Sequence, residues 1–171
     1  ARPDHETLAT LSAIERRVLW LAVRIVDFAN RERPRGDGLK VGGHQASSAS
    51  MVTLMTALYL ADLRGEDRVS VKPHASPVLQ AIEYLLGRLD RSYLTRLRDF
   101  GGLQSYPSRT KDPYPVDYST GSVGIAVAAG DGGAGHGGGW KYEVRSLKYE
   151  VRSGKCEGRG AGRGGDGAAR R

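Results

Sequence analysis

A break in composition near residue 127 most constrains what this chain can build. Fourteen of its 24 glycines fall in the last 44 of its 171 residues, in runs such as "GDGGAGHGGG" and "GRGAGRGGDG". Glycine loses the most backbone freedom on ordering and brings no side chain to bury, so residues 128–171 are expected to form a disordered Gly/Arg-rich tail. The core must then come from residues 1–127, enough for one ordinary domain and short for two. Charge divides the same way: nine basic against five acidic side chains in the tail supply +4 of the formal +7. The body is only mildly basic, which argues against a polyanion-binding face on it. The single cysteine, Cys156, excludes an internal disulfide and a cysteine-rich zinc site, and it fits a reducing, cytoplasmic setting. No apolar run reaches the length of a membrane span, and "ARPDHETLAT" lacks the basic-then-apolar pattern of a signal sequence.

The body reads as α/β, with helices around a short strand. Leu11, Ile14, Val18, Leu21, Ile25 and Phe28 recur every three or four positions and predict a long amphipathic helix, with Asp4 as N-cap, Glu6 in its first turn and "RERPRGDG" ending it. "SSASMVTLMTALYLADL" predicts a second helix, apolar nearly all round from Met51 to Leu63 and so interior. "DRVSV" is brief and β-branched and stops at Lys72-Pro73, which predicts a strand. "SPVLQAIEYLLG" predicts a further helix with Ser76 as cap, Pro77 at its start and Gly87 as stop. Residues 101–120 form a long loop whose Tyr106, Tyr114 and Tyr118 argue against simple disorder, and "STGSVGIAVAA" starts like another helix.

Taken alone, the residues leave two readings open at each candidate position. His44, beside Gly42, Gly43 and a serine cluster, is either a functional imidazole or a loop or cap residue. His74 is either a ligand-facing histidine beyond the expected strand end or a turn residue packed behind Pro73. Ser47, Ser48 and Ser50 read as helix-start residues, since no carboxylate is evidently paired with a nearby histidine in the manner of a catalytic triad. Gly121 and Gly124 serve either a close approach to a ligand or tight packing.

"VGGHQASSAS", "DRVSVKPHASPVLQAIEYLLGRL", "GGLQSYPSRT" and "STGSVGIA" follow one another in an order and spacing that resemble the N-terminal domain of thiamine-diphosphate enzymes of the transketolase superfamily. The resemblance runs over residues 5–127 and is to homodimeric pyruvate dehydrogenase E1 components and transketolase-like proteins in particular. It implies an incomplete, helix-rich N-terminal part of a parallel-sheet domain that binds thiamine diphosphate with Mg²⁺. It implies that His44 and His74 face the reacting centre, where imidazole moves protons near neutral pH. Gly121, Ser122 and Gly124 match the turn that approaches the cofactor. Ser105 and Tyr106 match the "SYP" segment of the E1 branch, at a place where transketolases carry a further histidine. The family also implies a homodimer with the active site at its interface.

In that family Mg²⁺ is held by a Gly-Asp-Gly motif after a later strand. Gly130-Asp131-Gly132 lies only six residues past Gly124, leaves no room for the intervening helix and strand, and has no asparagine downstream, so it reads as coincidence and no metal ligand is assigned. "KYEVRSL" followed by "KYEVRSG" is a local duplication rather than a repeat architecture. The expectation is a truncated member of a family of transferases and oxidoreductases acting by two-carbon transfer or decarboxylation, inactive alone, with its frame interrupted near residue 127. The alternative is a weak RNA- or polyanion-binding module working through Arg159, Arg163, Arg170 and Arg171, although nothing aromatic interleaves them.

Overall fold

The computed structural model describes residues 3–34, 38–119 and 121. Helix α1, His5–Arg31, starts as its sequence predicts, with Asp4 accepting the Thr7 N–H at 2.7 Å and Glu6 in the first turn. Its buried stripe, Val18, Ala22, Ile25, Val26 and Ala29, follows the helical period. The opposite face leaves Leu19 and Trp20 exposed.

The serine-rich stretch that predicts one continuous helix is instead divided. Helix α2, Gln45–Ala49, is separated from α3, Val52–Ala57, and a π-helical turn, Leu58–Asp62, follows. The Ser50 hydroxyl donates to the Ser47 carbonyl at 2.8 Å, offering the backbone a local alternative to the continuing helix. The stretch is also only half interior: Val52, Met55 and Thr56 are buried, while Thr53 and Leu54 face outward.

Helix α4, Ser76–Leu85, is buried from Ser76 through Glu83 and is the centre of the core. Pro77 lies in its first turn, and Gly87, at φ 74°, takes the left-handed conformation that ends it. Ser76 does not cap the helix, because its hydroxyl turns back to the Pro73 carbonyl at 2.6 Å. Helix α1 packs on α4, α3 packs on both, and Leu89, Leu97, Leu103 and Tyr114 close the core.

Among the described residues the expected strand does not form and no parallel sheet is present, only an isolated parallel bridge between Leu97 and Leu103. A strand needs a neighbour to complete its ladder. Here the Val69 N–H is taken by the Asp117 carboxylate at 3.0 Å instead of by another backbone. Val71 is still buried in the core, so the segment keeps the packing of a strand without its pairing. Over its described residues the molecule is helix-rich. Residues 122–171, with the helix expected after Ser119, the Gly-Asp-Gly run, the duplication and the Arg/Gly tail, lie outside them.

Candidate functional site

Helix α1 sets the position of the first histidine. The Asn30 side chain accepts the Gly42 N–H at 2.9 Å and donates to the Gly42 carbonyl at 2.9 Å and to the Val26 carbonyl at 2.7 Å, so residue 42 is held from both sides. Gln45 adds a bond to the Val23 carbonyl at 3.3 Å. Between them Gly43, at φ 138°, lets the chain lie on Val26 immediately before His44. His44 stands at the N-cap position of α2, yet its side chain makes no capping bond. The ring is therefore free for another task.

The second histidine lies in the 3-10 turn Pro73–Ala75 that leads into α4. The buried Ser48 hydroxyl of α2 donates to the His74 carbonyl at 3.1 Å, which ties this turn to the element that follows His44. The two imidazoles stack with centroids 3.8 Å apart and planes 27° from parallel. Tyr106 comes in from the long loop, its ring centroid 5.7 Å from that of His74 and its hydroxyl 3.5 Å from His74 Nε2. That contact is at the long limit of the hydrogen-bond range. Gly121 completes the wall: a Cβ there would stand 3.5 Å from the Tyr106 ring.

Of the residues singled out from the sequence, His44, His74, Tyr106 and Gly121 come together. Ser105 neighbours them in sequence but makes no side-chain hydrogen bond among the described residues. Ser122 and Gly124 lie outside the described residues. Sequence reasoning passed over Asn30, Arg98 and Asp112, and it read Ser48 only as a helix-start residue. The Asp112 carboxylate accepts the N–H groups of Gln104 at 3.0 Å and Ser108 at 2.8 Å, bracketing Tyr106, and burial raises its pKa in spite of those donors. Arg98, at φ 57°, donates to the Val41 carbonyl beside the glycine pair.

His44 is held below its ordinary pKa, first by loss of water from the face stacked on His74 and then by the positive charges of His74 and Arg98. A histidine whose folded pKa is lowered stays neutral where the unfolded chain would take up a proton. Its stabilising contribution is complete above pH 6.5 and falls as pH drops from there to the folded value. His74→Gln is expected to raise the His44 pKa towards the ordinary value, read by NMR titration of its ring protons. An unmoved or lower His44 pKa in the variant would show that the two rings do not sense each other.

Mg²⁺ takes hard oxygen ligands in near-octahedral geometry. Among the described residues no three His, Cys, Asp or Glu side chains converge as metal ligands, and the site offers two imidazoles and a phenol. The described residues do not fit Mg²⁺. They do fit the reacting end of a cofactor whose chemistry needs proton acceptors and donors. A separate cleft of about 370 Å³ opens between residues 63–71 and 115–118, with the Glu83–Arg88 pair in its wall, and none of the site residues lines it. No helix among the described residues is long and apolar enough to cross a membrane.

Comparison with known proteins finds pyruvate dehydrogenase E1 components. The chain is 33% identical to that of Mycolicibacterium smegmatis over 127 residues, covering 66% of this chain and 13% of the relative. It is 32% identical over 127 residues to the Mycobacterium tuberculosis protein and 33% identical over 117 residues to that of Pseudomonas aeruginosa. The chain thus spans about 13% of the length of these relatives. No family model matches the chain. No solved structure matches it either.

Proposed function

We propose that this stretch of chain forms part of the wall around the reacting end of thiamine diphosphate, in an enzyme that decarboxylates a 2-oxo acid or transfers a two-carbon unit. The observation that carries the reading is the stacking of His44 on His74, 30 residues apart in sequence, with Tyr106 at His74 Nε2. The similarity to pyruvate dehydrogenase E1 components supports it and favours a 2-oxo acid over a ketose phosphate. Thiamine diphosphate, when bound, supplies a carbon nucleophile for the substrate carbonyl. His44, kept neutral beside its stacked partner, is the proton acceptor at neutral pH. The Tyr106 hydroxyl holds the His74 ring in one orientation, and Gly121 leaves room beside the Tyr106 ring. The chain spans about 13% of the length of the E1 relatives it matches, so taken alone it is expected to turn over no pyruvate.

The test is an NMR titration of the histidine-labelled chain with thiamine, thiamine diphosphate and plain diphosphate. Saturable movement of the His44 and His74 signals is expected with both thiamine compounds, at affinities on the order of millimolar because only part of the site is present. Plain diphosphate is expected to leave them in place. Signals that ignore thiamine, or follow diphosphate equally, would overturn the reading.

A further inference from the structure

We infer that Asp112 is the positioning residue of this site: it folds the loop from Gln104 to Asp112 into one shape and so sets the Tyr106 hydroxyl against His74. The inference rests on reading His74 and Tyr106 as parts of the reacting site.

The loop has no regular secondary structure to hold it, so its shape must come from side chains. One carboxylate does most of this. Asp112 Oδ1 accepts the Gln104 N–H at 3.0 Å and Oδ2 accepts the Ser108 N–H at 2.8 Å, and these two residues flank Ser105, Tyr106 and Pro107. The Asp112 N–H in turn donates to the Ser108 carbonyl at 3.2 Å, so residues 108 and 112 bond each other in both directions. The loop is moored to the core by Gln80, wholly buried in α4, whose amide donates to the Gln104 carbonyl at 3.1 Å. Gln104 is therefore fixed by α4 on its carbonyl side and by Asp112 on its amide side, and Tyr106 lies two residues further on. At the far end of the loop, Ser119 accepts the Arg109 N–H at 2.7 Å, bringing Gly121 back to the Tyr106 ring.

A carboxylate suits this place because both its oxygens accept. Asparagine has one accepting oxygen, and its NH₂ would face the second N–H whichever way the amide is turned. Asp112→Asn therefore keeps the volume and removes one of the two clamps, while a part-buried donor is left unpaired. No catalytic step is assigned to Asp112 itself, since no contact joins it to His44 or His74.

The experiment uses the full chain without cofactor, labelled for NMR. In the unmodified protein the Gln104 and Ser108 amides are expected to exchange with solvent at least about ten-fold more slowly than those of Thr110 and Lys111. In Asp112→Asn that protection is expected to fall about ten-fold, and the His74 ring signals are expected to move in the same direction as in Tyr106→Phe. A purely structural Asp112 would lower the unfolding midpoint and leave the His74 signals of the folded variant in place, which would overturn the assignment. If Asp112→Asn does not fold, the unmodified chain and Tyr106→Phe decide. Unprotected Gln104 and Ser108 amides, or His74 signals indifferent to Tyr106→Phe, overturn it, and protected amides with a His74 shift sustain it. These readouts involve no cofactor, so a failure of Asp112 to set Tyr106 against His74 is told apart from a failure to bind thiamine.

Discussion

Gly43→Ala is expected to destabilise the chain by about 3 kcal/mol and to separate His44 from His74. Two costs act together. Residue 43 sits at φ 138°, a conformation that side chains rarely adopt, and a Cβ there would stand 2.5 Å from Val26 Cγ1 and 3.1 Å from Cγ2. Backbone strain at such a position costs about 1–3 kcal/mol and overpacking a similar amount. The Asn30 clamp holds residue 42 in place, so relief must come from the other side, where His44 is. Urea unfolding gives the loss of stability, and the His44 pKa, released from its stacked partner, should return towards its ordinary value. Val26→Ala in the same chain separates the two costs. It opens space at the clash but leaves φ unchanged, so Gly43→Ala should cost less in that background. An equal cost in both backgrounds would remove the steric part of the account.

Arg88→Met is expected to cost about 2 kcal/mol, and Glu83→Gln together with Arg88→Met less than Arg88→Met alone. Glu83 lies on α4 at 2% exposure, and its two oxygens accept from two of the Arg88 nitrogens, Nε at 2.6 Å and Nη2 at 2.8 Å. Removing the arginine leaves a buried carboxylate without a counter-charge, which costs about 3–5 kcal/mol where the pair is fully enclosed. Arg88 is itself 46% exposed, so water shares the burden and the smaller figure applies. Neutralising Glu83 removes the reason for the penalty, which makes the double variant the test. A double variant as unstable as Arg88→Met would mean that the arginine acts through its packing alone.

Helices α1 and α4 were legible because their signals are local. An apolar period, an aspartate before the first turn, and a proline and a glycine at the ends of α4 each act within a few residues. "DRVSV" misled because β-branching describes a residue's preference, and a strand also needs a neighbour, for which Asp117 substitutes. Ser76 misled because a hydroxyl can turn to the preceding carbonyl as readily as to the following amides. The two histidines were visible as residue types, and a resemblance to known enzymes pointed to both. Their stacking depends on Asn30 reaching residue 42 and on Ser48 reaching residue 74, links of 12 and 26 residues that no periodicity marks. Asp112 was hidden for the same reason, since a loop aspartate is ordinary until its amide partners are known.

The distances along the chain between His44, His74 and Tyr106 also have a kinetic meaning. The site closes two spans of about thirty residues, whereas α1 makes its own contacts within single turns. Long spans cost entropy before their contacts return anything, so pairings of this kind tend to be made late in folding. The stacked imidazoles and the tyrosine would then be missing from the transition state. Substitutions that weaken the turns of α1 itself should slow refolding, and those at Asp112 or Tyr106 should chiefly quicken unfolding.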